Sequence, residues 1–187
     1  MPGAAPPAII LGIDPGTRVT GWGVVRIDGP EPRAVACDVI TPGSKLPLEQ
    51  RLAFIFTALG DVVARFAPDA VAVEAPFVGE SVRSAMAVGE ARTVAMLAAT
   101  LAGLPVFHYP PARVKQMVAG YGRGEKSQVR EMLRLQLGME TMPDDLNASD
   151  ALAVALCHAM HHRAGTLVAA ADLLAPPTRR QRPRRAV

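Results

Sequence analysis

The run Ile9-Ile10-Leu11-Gly12-Ile13-Asp14-Pro15-Gly16 is almost wholly apolar, ends in a carboxylate and is stopped at once by Pro-Gly. It predicts a strand buried on both faces, followed by a turn. A carboxylate at the rim of such a sheet is costly unless a cation or hydrogen-bond donors compensate it, so Asp14 is a candidate ligand. The pattern returns at Ala70-Val71-Ala72-Val73-Glu74, just ahead of Pro76. As parallel neighbours, the two strands put Asp14 and Glu74 side by side at their carboxyl ends, where open α/β sheets bind ligands. Two convergent carboxylates suit a hard divalent cation. For either acid alone, a strand end facing water is the duller reading.

Around these strands the periodicity predicts a mixed α/β order. Val19 to Ile27 and Ala34 to Ile40 read as further strands, with a hairpin break at Asp28-Gly29-Pro30. Leu48, Leu52, Ile55, Leu59, Val62, Val63 and Phe66 recur every three or four residues, which predicts a helix ending before Pro68. A strand, a crossover helix and a strand form a right-handed parallel unit. Ser81 to Leu101 reads as a second helix; its small residues Ala85 and Gly89 allow either a symmetric dimer contact or tight packing on its own sheet. Pro105 to Tyr109 reads as a strand, and Ala112 to Ala119 and Ser127 to Leu137 as helices. They are joined by the glycine-rich link Gly120-Tyr121-Gly122-Arg123-Gly124-Glu125-Lys126. There backbone can approach a phosphate chain while Arg123 and Lys126 neutralise it; a solvated loop is the alternative.

A last helix is expected from about Asn147 to Arg163. Asn147 and Asp150 stand three apart at its start, a capping arrangement that also puts both side chains on one face of the first turn. His158 and His162, four apart, are a weak candidate metal pair with no third ligand evident. The expected domain is 9–165, between a disordered N-terminus over 1–8 and a basic, disordered tail over 166–187. That tail carries Arg179, Arg180, Arg182, Arg184 and Arg185.

The 187 residues are 50% hydrophobic but only 4% aromatic, so the core is expected to use small aliphatic side chains. No apolar stretch has the length of a membrane span, and the N-terminus lacks the pattern of a signal peptide, so the expectation is a cytoplasmic protein with no membrane contact. Cys37 and Cys157 lack metal-ligand spacing and read as buried, reduced thiols. The net charge of +3 is modest. Its concentration in the tail, and in Arg113, Lys115, Arg123, Lys126 and Arg130, points to a polyanion.

Three strands, helix, strand, helix, strand and closing helices, with acids at the ends of the first and fourth strands and at the start of the last helix, resemble the ribonuclease-H-like (integrase-like) fold. That fold has a mixed five-stranded sheet flanked by helices. Within it the chain resembles the RuvC family of Holliday junction resolvases. The residues that carry the likeness are Gly12 to Gly23, Val73-Glu74-Ala75-Pro76-Phe77, Gly89-Glu90-Ala91-Arg92, Val114-Lys115-Gln116, Glu125-Lys126-Ser127-Gln128-Val129 and Ser149 to Ala155.

The resemblance implies a homodimeric endonuclease that makes paired nicks in four-way junction DNA and works beside the RuvA and RuvB branch-migration proteins. It implies Asp14, Glu74 and Asp150 as catalytic, metal-binding acids. The ions expected are Mg²⁺ or Mn²⁺, two per site. Phe77 takes the position of the family's aromatic that inserts at the opened junction, and Lys115 and Lys126 match its DNA-contacting lysines. One position departs: where the family has a second acid or a His three residues before the last Asp, this chain has Asn147, a neutral oxygen ligand, with Asp144 or Asp145 just upstream as possible substitutes. The rival expectations are a junction-binding scaffold without catalysis, another ribonuclease-H-like nuclease, and an actin-like or sugar-kinase phosphate loop, which lacks the second domain it would need.

Overall fold

The computed structural model describes residues 7–29, 31–75, 82–120 and 126–174, with the backbone alone at 82–84, 126 and 163–174. The expected Phe77 and Arg123 sites, and the tail from residue 175, lie outside the described residues.

The strands are β1 (Ala8–Asp14), β2 (Thr20–Ile27), β3 (Pro32–Ile40), β4 (Ala70–Glu74) and β5 (Val106–Tyr109). The helices are α1 (Leu48–Phe66), α2 (Val82–Leu101), α3 (Pro111–Ala119), α4 (Lys126–Gln136) and α5 (Leu146–Leu174). The sheet has the order β3-β2-β1-β4-β5. β2 runs antiparallel to β1 and β3, whereas β4 lies parallel to both β1 and β5. This is the mixed five-stranded α/β architecture expected of the ribonuclease-H-like fold.

Alternation along the strands sorts the side chains into two cores. Leu11, Ile13, Val71 and Val73 face α1 and α2, where they meet Ile55, Leu59, Ala95 and Ala99. Ile10, Ala70, Ala72 and Tyr109 face the other way, toward Val114 and Val118 of α3, Leu133 of α4 and the apolar face of α5. Every second residue of β1 and β4 is therefore committed to one layer. That commitment decides where the terminal acids point.

Several expected boundaries move by a residue or more. β1 begins at Ala8, which is itself buried, rather than after it. α5 continues to Leu174, past the expected helix end at Arg163. The extension Ala164 to Leu174 is rich in Ala and Leu, strong helix formers, and Gly165 costs only about 1 kcal/mol against Ala. With no proline before Pro176, nothing stops the helix earlier.

Candidate active site

Ile13 of β1 is the register partner of Val73 of β4, so Asp14 and Glu74 emerge next to each other at the carboxyl end of the sheet. By alternation Asp14 shares the face of Gly12, and Glu74 that of Ala72, so both acids rise on the α5 side.

Glycines admit the helix. A Cβ at Gly12 would stand 2.1 Å from the Ala151 carbonyl oxygen, one at Gly21 2.0 Å from that of Asn147, and one at Gly23 2.8 Å from Leu152 Cγ. Gly12 pairs with Gly23, and Asp14 with Gly21, across the β1–β2 ladder. These positions make a side-chain-free track on which α5 lies against the sheet. The first turn of α5, with Asn147 and Asp150, is thereby delivered to the end of β1. The turn after β1 is closed by the Thr20 hydroxyl, which donates to the Gly16 carbonyl at 2.7 Å.

The resulting electrostatics are those of an acid cluster in want of a cation. Asp14 and Glu74 are half-buried. Desolvation, then the charge of Asp150, push the Asp14 carboxyl up to about 6; desolvation, then the charge of Asp14, push Glu74 up to about 8. The two carboxyls are hydrogen-bonded to each other, an arrangement in which the pair holds on to a shared proton. Asp150 raises both carboxyls, and the nearby Lys115 of α3 lowers Glu74.

Among the described residues no three His, Cys, Asp or Glu side chains already stand in a metal-holding cluster. What converges is a bonded carboxyl pair with a third acid in electrostatic reach. Half-desolvated oxygens that repel one another are the donor set of a hard divalent ion, which would replace their shared proton, so the residues fit such an ion.

Asn147 is engaged with Asp145, whose Oδ1 accepts from the Asn147 backbone N–H at 2.8 Å and from its side-chain Nδ2 at 2.9 Å. These bonds hold the Asp145 carboxyl below its usual range. Asp144 is exposed.

The histidines belong elsewhere. His158 is buried, its Nδ1 lies 2.8 Å from the Tyr109 hydroxyl and its ring stacks on Phe107 with centroids 4.2 Å apart. Burial, then the charges of His162 and His161, drive it down to about 4, so it is neutral and fastens α5 to β5. Cys37 is half-buried and Cys157 buried, both free thiols.

Two arginines complete the surroundings. Beside Asn147, a cleft of about 560 Å³ is lined by Gly16, Thr17, Arg18 and Val19 of the β1–β2 turn, Arg51 of α1 and Ala87 and Val88 of α2. Arg51 donates to the Thr17 carbonyl at 3.4 Å, and among the described residues its buried Nε has no hydrogen-bond partner. Arg51 carries no motif signal, because only the fold brings α1 to this turn.

The raised acids set a pH dependence. Between the ordinary carboxylate value and those of Asp14 and Glu74, the folded state holds more protons than the unfolded state, so stability falls as pH rises through that window. For half-buried groups the expected loss of metal-free protein between about pH 4.5 and 8 is about 2 kcal/mol, or roughly 4–8 °C in Tm. Asp14→Asn should flatten the decline. A Tm that rises over the same range, measured by calorimetry in chelator, would show that the acids are not destabilised by folding.

Comparison with known proteins then places the chain. The family model described as "Crossover junction endodeoxyribonuclease RuvC" matches residues 10–158. The protein of that name from Chloroflexus aggregans is 48% identical over 149 residues, covering 80% of this chain and 91% of its own length. Its counterpart from Rubrobacter xylanophilus is 45% identical over 163 residues, covering 87% and 91%. The structure superposes on Thermus thermophilus RuvC in complex with Holliday junction substrate with a TM-score of 0.80 at 38% identity, over 85% of this chain and 97% of the other. The yeast mitochondrial Holliday junction resolvase shares the fold alone, with a TM-score of 0.51 at 11% identity. The convergence of strand-end acids on a glycine-seated helix is thus met by likeness along most of the chain, and the protein belongs to the RuvC family of crossover junction endodeoxyribonucleases.

Proposed function

We propose that this protein resolves four-way DNA junctions by paired, symmetric, divalent-metal-dependent nicks in recombination and repair, with Asp14, Glu74 and Asp150 as its catalytic acids. The observation that carries the reading is the bonded Asp14–Glu74 carboxyl pair at the end of the sheet, with Asp150 of α5 in electrostatic reach, in a chain of this family. That the Thermus thermophilus relative was solved with a Holliday junction substrate supports junction DNA as the ligand.

In this reading Asp14 and Glu74 would hold Mg²⁺ or Mn²⁺ from the sheet, and Asp150 and the neutral oxygen of Asn147 would hold it from the helix. Bound there, a pair of such ions would supply Lewis-acid activation of a water and charge compensation at the leaving oxygen. The chain's own contribution is rigidity: strand ends and a glycine-seated helix fix the oxygens before substrate arrives. Lys115 lies close enough to affect Glu74 and is placed to neutralise a phosphate beside the acids. Arg18 and Arg51 line the adjoining cleft and offer guanidinium donors for the strand on either side. By the family resemblance, Arg123 and Lys126 are further phosphate contacts, and Phe77 is the residue that stacks on an unpaired base at the junction centre.

Symmetric nicks require two copies of one site related by a two-fold axis, hence a homodimer. Met86, Leu97 and Leu101 are exposed along one face of α2, which supports that helix as the contact. The partners expected are RuvA and RuvB on the same junction, and a junction substrate puts the work in the cytoplasm. No helix among the described residues is long and apolar enough to cross a membrane.

Because Asn147 brings an oxygen but no charge, cleavage of a mobile four-way junction is expected to be faster in Mn²⁺ than in Mg²⁺ at equal concentration. Equal rates across a titration of both ions would contradict this. Lys115→Ala should reduce the slope of log affinity against log salt by about one, measured by junction binding in Ca²⁺; an unchanged slope would place Lys115 away from DNA.

A further inference from the structure

We propose that Arg51 holds a phosphodiester of the strand being cut, within about three linkages of the scissile bond, and so ties the DNA backbone to the turn that follows Asp14. The inference rests on the reading of Asp14, Glu74 and Asp150 as the acids of a junction nuclease, and deepens it.

Arg51 stands in the first turn of α1 and is half-buried. It reaches across to the β1–β2 turn, where it donates to the Thr17 carbonyl at 3.4 Å. Among the described residues no carboxylate pairs with it. A guanidinium carries five N–H donors in a rigid fork; one long bond to a neutral carbonyl neither uses that fork nor offsets the charge. Its buried Nε has no partner among the described residues, so the water removed from it has not been replaced. A partly desolvated, unpaired cation of this kind is completed by an anion.

The surroundings select the anion. The cleft of about 560 Å³ that Arg51 lines also holds Arg18, and no Asp or Glu lines it. Gly16, Val19 and Ala87 keep its walls small and apolar, and Asn147, at the start of α5, forms its border toward the acids. A DNA strand brought to three acids is repelled by them, and two guanidiniums beside the acids offset that repulsion with a fork that matches phosphate oxygens. Chain length sets the separation. Thr17 follows Asp14 by three residues, so their Cα atoms lie no more than about 11 Å apart. Phosphates along one strand advance about 3.4 Å each, which places a phosphate held by Arg51 within about three linkages of one held at the acids.

Arg51 also steadies the turn through the Thr17 carbonyl, which is the plain structural role to be separated from this one. A scan of single methylphosphonate linkages, each removing one phosphate charge, separates them. It covers about four linkages on either side of the cut, mapped in Mn²⁺ on a four-way junction of fixed sequence, and affinity is then read in Ca²⁺, apart from cleavage. Arg51→Gln keeps an N–H donor for Thr17 and loses the charge, whereas Arg51→Lys keeps the charge without the fork. Both should melt within a few degrees of wild type. On unmodified junction Arg51→Gln should bind roughly tenfold more weakly, and Arg51→Lys should recover part of that loss. In wild type, neutralising one linkage within about three of the cut should cost a similar factor. In Arg51→Gln the same linkage should cost nothing further, while every other linkage costs the same in both proteins.

Additive losses at every linkage would make Arg51 a prop of the turn and overturn the proposal. Coupling confined to a linkage farther from the cut would overturn it as well, by placing Arg51 on another part of the junction. No cut in Mn²⁺, or a cut that persists in Asp14→Asn, would instead strike the reading of the acids and take the inference with it, a result distinguishable because it appears before any change at Arg51.

Discussion

Asp14→Asn is expected to reduce junction cleavage by about three orders of magnitude or more while leaving junction binding nearly intact. A metal-held carboxylate contributes several kcal/mol of charge stabilisation in such a reaction, and each factor of ten in rate is about 1.4 kcal/mol. The amide keeps the shape and one oxygen but loses the charge. Stability should move the opposite way. The Asp14 carboxyl is raised by burial and by Asp150, so ionising it at neutral pH costs folding energy that the neutral amide avoids. A variant that is dead, binds junction and melts higher than wild type in chelator is the expected combination. A dead variant that melts lower would mean that Asp14 holds the fold rather than the chemistry.

Gly12→Ala should be damaging in both respects. The added methyl would lie 2.1 Å from the Ala151 carbonyl oxygen, 2.6 Å from the Ala155 nitrogen and 2.8 Å from Ala155 Cβ. None of these is the end of a flexible side chain, so the helix must move off the sheet. Overpacking of this kind costs about 3 kcal/mol, or roughly 6–12 °C in Tm for a chain of this size. Asp150 immediately precedes Ala151, so the same displacement draws an acid away from Asp14 and Glu74. Gly60, within α1 and with nothing in reach of an added Cβ, is the control: Gly60→Ala should stabilise by about 0.5–1 kcal/mol. Wild-type melting and cleavage for Gly12→Ala would show that α5 does not depend on the glycine track.

The acids on the strands were legible because an apolar run ending in a carboxylate before Pro-Gly or Pro has few other readings. Parallel register then made them neighbours, as Ile13 opposite Val73 requires. The glycine track was not legible as such: Gly12, Gly21 and Gly23 are separated in sequence, and their shared purpose appears only when β1 and β2 pair and α5 crosses them. The full length of α5 is not legible because Gly165 and the polar stretch before it resemble a stop, whereas helix propensity from Thr166 to Leu174 carries the turn onward. His158 and His162 had the spacing of a chelate, but burial against Phe107 and Tyr109 decided the role of His158, and no local pattern encodes that partner. Arg51 shows the same limit from the functional side. It donates to the Thr17 carbonyl, which only tertiary structure brings near, so it does not announce itself by motif.

The most direct test of junction resolution offers the protein a labelled mobile four-way junction, the matching linear duplex and an RNA/DNA hybrid, in Mg²⁺, in Mn²⁺ and in chelator, with Asp14→Asn as the blank. Paired nicks are expected at symmetric positions in the junction alone, dependent on the added ion, stronger in Mn²⁺ and absent from the blank. Tight junction binding without cleavage in either ion would contradict this in favour of a scaffold. Cleavage of the hybrid alone would mean that the site is a nuclease with another substrate.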